Sequence, residues 1–490
     1  MKNYIDGEWV DSSSGEFLEK VNPSTGKVLE KFPSATKEDV SRAIDAAESA
    51  FERWNSIGSS KRSRILLKAE ELIRIDRKEL EKILVLENGK VPVQAQEEVD
   101  GVLDQIRYYA GFERKITGDV VEGDSEKRLI LQYKVPYGVV AALTPWNFPA
   151  AMVARKIAPA LLTGNTVVLK PSSDTPMSAE WIVRKFIEAG VPKGAINFVT
   201  GKGSTIGDHL VSHRKVSLVT MTGSTGTGQR IMEKASANMA KLVLELGGKA
   251  PFIVWEDADI SNALKSLVWA KFWNGGQSCI AAERLYVHEK IYDSFVRKFT
   301  SATRKIRVGD PMTSDLGPLI NGKALETTSR FVREASDSGM KTLTGGKQPE
   351  LEGDFRSGYF FLPTILEGAA QDSPIFQEEI FGPVLGIQKV SDLEETLKKA
   401  NDSRYGLASY LFTESNSVVF EAAEKISFGE LYVNMPGPES SQGYHTGFRL
   451  TGQGGEGSRY GIEEYVKLKN IYVNYSREEL HIQSVREDLF

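Results

Sequence analysis

Cysteine is almost absent from this chain: Cys279 is the only one in 490 residues. That excludes an internal disulfide framework and any cysteine-rich zinc site. The five histidines, His209, His213, His288, His445 and His481, show no metal-ligand spacing, so no metal is expected. There is no uninterrupted apolar run of about 18 residues, and none follows the opening MKNYIDGEWV. A cytoplasmic protein with no membrane partner is therefore expected. Long blocks of one charge sign are also missing: 61 basic and 66 acidic residues leave a formal charge of −5, which argues against a nucleic-acid partner. A phosphate-bearing small molecule stays open, because it needs only a local pocket.

What is present reads as a soluble globular chain, 41% hydrophobic and 26% charged, too long for one ordinary core. Val40, Ile44, Ala47, Phe51 and Trp54 recur at helical spacing after Thr36, and RSRILLKAEELI repeats the pattern. From Leu129 the texture changes to short β-rich runs between helical ones: LILQYKV, GVVAALT, TVVLKPS, AINFVTG, VSLVTMTG, KLVLELGG and PFIVW. That alternation predicts an α/β protein with a parallel, doubly wound sheet. DADISNALKSLVWAKFWNGG predicts an amphipathic helix that a glycine pair stops just before Cys279. Further β and α runs after it predict a second α/β unit.

Three places carry residues suited to chemistry. In VTMTGSTGTG a strand runs into glycines and then a helix, whose free N–H groups suit a phosphate; an ordinary strand-to-helix turn reads the same way. In VVLKPSSDTP, Lys170 ends a strand at the sheet edge where α/β proteins bind cofactors, or is a solvated strand-end lysine. Its third follower is Ser173; a serine beside a lysine accommodates a ribose 2′-phosphate better than a carboxylate would, which points to NADP over NAD. Cys279 is either a small packed side chain or a nucleophile, and the flanking glycines leave its sulfur approachable. A nucleophilic thiolate needs a base or field, and Glu245, beside a Gly-Gly pair, is a candidate base or an ordinary edge charge.

Taken in order, TPWNFP (144–149), the Lys170 loop, GSTGTG (223–228), LELGGKAP (244–251), GQSC (276–279) and EEIFGPV (378–384) closely resemble the aldehyde dehydrogenase superfamily. The resemblance implies a Rossmann-type cofactor domain over 1–115 and 137–246, an α/β catalytic domain over 247–466 and a small β oligomerisation element from 116–136 and 467–490. A dimer or homotetramer follows from that element. It further implies Cys279 as nucleophile, Glu245 as the base for the hydrolytic water, Asn147 as oxyanion donor and Lys156 in proton relay. Thr144, Trp146, Lys170, Ser172, Ser173, Gly223, Ser224, Glu379 and Phe381 match cofactor positions.

Two departures bear on the substrate. The segment YHTGFRLTG puts His445 where many relatives keep a phenylalanine, and Arg155 stands at a commonly aromatic position. Two polar groups in one pocket predict a hydroxylated small aldehyde, since an apolar one would leave them unpaired. The nearest resemblance is to archaeal-type, NADP-dependent glyceraldehyde dehydrogenases, ahead of lactaldehyde and succinate-semialdehyde dehydrogenases. A cysteine hydrolase or esterase is the rival from another class, although no histidine neighbours Cys279 in sequence. In GEGSRYG, Arg459 is read as replacing an acid that supports proton transfer, so relay by that route is not expected.

Overall fold

The computed structural model describes residues 1–476 except 125 and 438. Helix Lys37–Ser56 begins where the sequence predicts: the Thr36 side chain accepts from Asp39 N while the Asp39 carboxylate accepts from Thr36 N, satisfying donors that the first turn leaves free. Val40, Ala43, Ile44 and Ala47 on one face of this helix are buried, as is Trp54. Full burial of such side chains stabilises the fold by roughly 1.5–3 kcal/mol each.

The first sheet has eight strands, in the order Glu8–Val10, Asn3–Ile5, Ile196–Phe198, Thr166–Lys170, Val139–Leu143, Val216–Thr222, Lys241–Glu245, Gly452–Gln453. The five from Ile196–Phe198 to Lys241–Glu245 run parallel, with antiparallel strands at both edges. Side-chain alternation divides two cores across it. Val140 and Ala142 pack with Trp54, Ile157 and Phe186, whereas Val139 and Ala141 pack with Ile44, Leu210 and Ile231. That two-sided burial is the reason these strands read as unbroken apolar runs.

The second sheet has seven strands, in the order Lys341–Thr344, Thr364–Glu367, Val384–Val390, Ala282–His288, Ala250–Val254, Ala408–Phe412, Glu430–Val433. It too is parallel except at its first edge. The two sheets are joined by residues 246–249 alone between Glu245 and Ala250, so the ends of both meet in one place.

One boundary differs from expectation. The stretch near 452–463, expected within the catalytic unit, returns to the first: Gly452–Gln453 pairs with Leu244 and Glu245, and helix Ser458–Glu463 packs on helix Pro149–Thr163. The reason is that Lys241–Glu245 would otherwise leave its ladder groups unpaired at a buried edge.

The expected small β element is present as a three-stranded antiparallel sheet in the order Val466–Asn474, Arg128–Pro136, Asp119–Glu122. The remainder of the expected terminal segment, 477–490, lies outside the described residues. Among the described residues no helix is long and apolar enough to cross a membrane.

Candidate active site

Cys279 is delivered by the end of the predicted helix. Asp259 caps helix Ile260–Phe272 by accepting from Ser261 N and Asn262 N. After it, Asn274, Gly275 and Gly276 take positive φ values of 52°, 69° and 72°, turning the chain back toward the strand Ala282–His288. At Gly276 a Cβ would lie 2.4 Å from Gly382 O, so the turn admits only glycine. Gln277 is a buried brace: its Nε2 donates to Asn274 O at 2.9 Å and its Oε1 accepts from Ile320 N at 2.9 Å. Ser278 instead has a buried hydroxyl with no hydrogen-bond partner among the described residues and lines the cavity beside Cys279.

Two cavities meet at the thiol. One, of about 500 Å³, is bounded by Glu245, Arg155, Glu439, His445 and an aromatic wall. In that wall Phe148, Trp273 and Trp269 stack successively at 4.7 and 4.6 Å. The other, about 390 Å³, is bounded by Trp146, Gly223, Ser224, Glu379 and Phe381. Asn147, Thr222 and Cys279 belong to both. A molecule in each would therefore meet at the sulfur.

The electrostatics of the first cavity are dominated by buried charge. His445 Nδ1 lies 2.9 Å from Glu430 Oε1 and 4.0 Å from Glu439 Oε1, and its Nε2 lies 3.8 Å from Glu245 Oε2. Burial alone would lower the His445 pKa, but Glu430 and Glu439 outweigh it and hold the ring as imidazolium well above its usual range. Arg155 pairs with Glu439 at 2.7 Å and keeps that carboxylate ionised against its burial. Among the described residues the Arg155 Nε is a buried donor with no hydrogen-bond partner.

Burial pushes Glu245 up to about 8; the His445 charge opposes the shift and Glu456 adds to it. Both Glu245 carboxylate oxygens are buried and accept no hydrogen bond among the described residues, as befits a base awaiting a proton donor. Burial likewise raises the Cys279 thiol, and His445 beside it pulls in the opposite direction.

Lys156, the next residue on the same helix as Arg155, points elsewhere. Its Nζ lies 2.5 Å from Glu456 Oε1 and 3.1 Å from Thr220 Oγ1, all buried. This corrects the reading of Arg459: that side chain is exposed and donates to Tyr460 OH, while the acid paired with Lys156 is Glu456, three residues earlier. Lys156 therefore has a buried carboxylate partner. Glu430, Glu439 and Glu456 are the site residues that sequence reasoning missed; for Glu456 the signal was its place between two glycines in GGEGS.

On the other side, Glu379 Oε1 accepts from Gly248 N at 2.7 Å, and burial together with the Glu283 charge pushes it up to about 8. Trp146 and Phe381 meet edge to face at 5.2 Å. Gly223 and Ser224 link strand Val216–Thr222 to helix Thr225–Ala235, presenting its first turn to the cavity. Register aligns Leu143 with both Lys170 and Met221, so Thr144, Lys170, Ser172 and Ser173 stand at the same carboxyl edge, outside the lining of that cavity. Lys170 is not a solvated strand end: it is buried, donates to Pro171 O at 2.9 Å, and has its pKa lowered to about 8 by burial. Ser173 donates to Gly201 O, and the Thr144 hydroxyl is buried and unpartnered. A phosphate-bearing dinucleotide fits this edge, with a helix N-terminus, unsatisfied donors and an aromatic rim. Among the described residues no cluster with metal-ligand character occurs.

The profile of the aldehyde dehydrogenase family matches residues 9–471. The chain belongs to the aldehyde dehydrogenase family. It is 67% identical over 490 residues to a D-glyceraldehyde dehydrogenase (NADP(+)) of Picrophilus torridus, covering 100% of this chain and 99% of that one. It is 68% identical over 489 residues to the enzyme of the same description from Thermoplasma acidophilum, at 100% and 99% coverage. The solved lactaldehyde dehydrogenase of Escherichia coli superposes with a TM-score of 0.93 at 40% identity, over 96% of this chain and 99% of that one. Two cavities meeting at Cys279 are compatible with a reaction between two small molecules. The hydrolase rival does gain a histidine in space, since His445 reaches Cys279, but membership of the aldehyde dehydrogenase family sets that rival aside.

Proposed function

We propose that this aldehyde dehydrogenase oxidises D-glyceraldehyde to D-glycerate with NADP. The observation that carries the substrate is the Arg155–Glu439–His445 group facing Cys279 across the first cavity. A buried cation, a buried carboxylate and an unpaired guanidinium N–H suit the hydroxyls of a small polar aldehyde and penalise an alkyl one. The two relatives at 67% and 68% identity support both the substrate and the cofactor.

The chain's own groups then act in sequence. Glu245 takes the thiol proton, and the Cys279 sulfur attacks the aldehyde carbon. The side-chain amide of Asn147 and the Cys279 N–H stabilise the alkoxide of the thiohemiacetal. Bound NADP would supply the hydride acceptor that lets the Cys279 thiohemiacetal alkoxide collapse to a thioester. Once its first proton has left by way of Lys156 and Glu456, Glu245 removes a proton from water; the hydroxide adds to the thioester carbon and expels the thiolate, releasing glycerate. Lys156 and Glu456 give that proton a buried route away.

In this reading the eight-stranded unit binds the dinucleotide and the seven-stranded unit supplies Cys279. The three-stranded sheet assembles the chain as a dimer or tetramer. Reduced-cofactor formation, measured with glyceraldehyde, lactaldehyde and propanal under NADP and NAD, tests it. Glyceraldehyde with NADP should give the highest kcat/KM. Faster turnover of propanal defeats the substrate assignment, and a strong preference for NAD defeats the cofactor assignment. Lactaldehyde, which also carries a hydroxyl, is the second reading.

A further inference from the structure

Behind the turn that carries Asn147 lies a buried ion pair that the chemistry above does not use. Lys90 Nζ and Glu98 Oε2 are 2.7 Å apart, and both side chains are fully buried. The same Lys90 Nζ donates to the main-chain carbonyl of Asn147 and sits 4.3 Å from the centre of the Phe148 ring. Glu98 Oε1 accepts from Ala150 N at 2.9 Å and Ala151 N at 3.2 Å, two free donors in the first turn of helix Pro149–Thr163. Asn88 Nδ2 donates to Trp146 O at 2.7 Å. The main chain on both sides of Asn147 is thus held by side chains of residues 88–98.

The Cys279 loop grips the same point. Asn274 Nδ2 donates to Asn147 O at 3.0 Å and to Gln277 O at 3.2 Å. The Asn147 carbonyl is therefore the single acceptor on which the Lys90–Glu98 pair and the nucleophile loop converge. A buried ion pair is by itself a weak source of stability, because desolvation consumes most of its attraction. Fixing a geometry is a use that its stability alone does not explain.

We propose that Lys90 and Glu98 are positioning residues that, with Asn274, fix the Asn147 main chain against the Cys279 loop, so that the two oxyanion donors are set before the aldehyde arrives. This rests on the role given to Asn147 above. An oxyanion hole works through donors that need no rearrangement during reaction, and a displacement of about 1 Å can cost about 10²-fold in rate.

The test is a double-mutant cycle on the full-length enzyme with glyceraldehyde and NADP, joining Lys90→Met, Asn147→Ala and the combined variant. Asn147→Ala should lower kcat by about 10²–10³-fold. Lys90→Met should lower kcat by about 10–10²-fold with KM within about threefold, the signature of an interaction made in the transition state. In the Asn147→Ala background the same change should cost less than about twofold, because the group it positions is gone. A purely structural pair would lower the melting temperature and cost the same factor in both backgrounds; that outcome, or a Lys90→Met kcat within about twofold of the parent, overturns the proposal. A silent Asn147→Ala overturns the role given to Asn147 and the positioning with it, which separates the two failures. Should Lys90→Met not fold, the paired change Lys90→Met with Glu98→Gln strands no charge and enters the same cycle, judged by the same outcomes.

Discussion

His445 is the residue through which the cavity's charges act on the chemistry. Its imidazolium opposes the burial that raises both Glu245 and Cys279. Glu245 serves as base only when deprotonated, so with its pKa at about 8 the activity should rise with pH through that value. His445→Gln removes the positive charge, so both groups become harder to ionise. The rising limb of kcat/KM should move up by about one pH unit, and a pH–rate profile whose limb does not move would refute the coupling. Its height should fall as well, through lost substrate contacts. The specificity argument rests on the same two side chains: His445→Phe with Arg155→Leu should raise propanal relative to glyceraldehyde by at least about tenfold in kcat/KM. An unchanged ratio would show that hydroxyl recognition lies elsewhere. Cys279, Glu245 and Asn147 were singled out in the sequence by the ordered motifs that resemble the family, since composition alone left Cys279 and Glu245 open to packing and edge-charge readings. Glu430, Glu439 and Glu456 were not, because a carboxylate's role is set by its partner: Glu456 meets Lys156 across 300 positions of sequence.

Short segments at strand ends, more than the helices, decide whether the site is built. LELGGKAP joins the two sheets, and at Gly248 an added Cβ would lie 2.2 Å from the Cys279 carbonyl oxygen, a backbone atom that cannot swing aside. Register between Ala250 and Ala282 fixes that proximity, since the strand after Gly248 pairs with the strand after Cys279. Gly248→Ala should therefore lower kcat by about 10²-fold through displacement of the nucleophile loop. Because Gly248 does not require a positive φ, the strain is confined to that contact, and the melting temperature should fall by about a few degrees only. A large loss of melting temperature with kcat preserved in the folded fraction would count against this account. Glu283 acts similarly on the other side, accepting from Ile380 N and Phe381 N at 3.0 Å and so holding the loop that presents Glu379. The periodicity of helices and strands was readable throughout, but these close approaches were not, because a glycine's neighbour is invisible in one dimension.

For the molecule as a whole, the three-stranded sheet stands out from the body. Val120, Tyr133, Leu468, Tyr472 and Tyr475 around it are large apolar or aromatic side chains that are 50–75% exposed. Among the described residues the outer strands Val466–Asn474 and Asp119–Glu122 each have one edge unpaired. An apolar sheet with open edges is an unstable surface in isolation and is suited to a second copy. Tyr472→Lys with Leu468→Lys should weaken assembly without disturbing either core, shifting the sedimentation coefficient toward that of a single chain. A parent protein that sediments as a monomer would remove the basis for this expectation.

The division between what the sequence by itself determined and what folding decided follows from the range of the forces. Helix and strand periodicities, the capping by Thr36, the alternation of strands and helices and the placement of the lone cysteine after a glycine turn are local, and they are written in neighbouring residues. The return of Gly452–Gln453 to the first sheet, the pairing of Lys156 with Glu456 and not with anything near Arg459, and the charge on His445 depend on groups brought together from distant positions. A pKa is set by burial and by the nearest opposite charge. Both exist only once the two sheets have closed around Cys279.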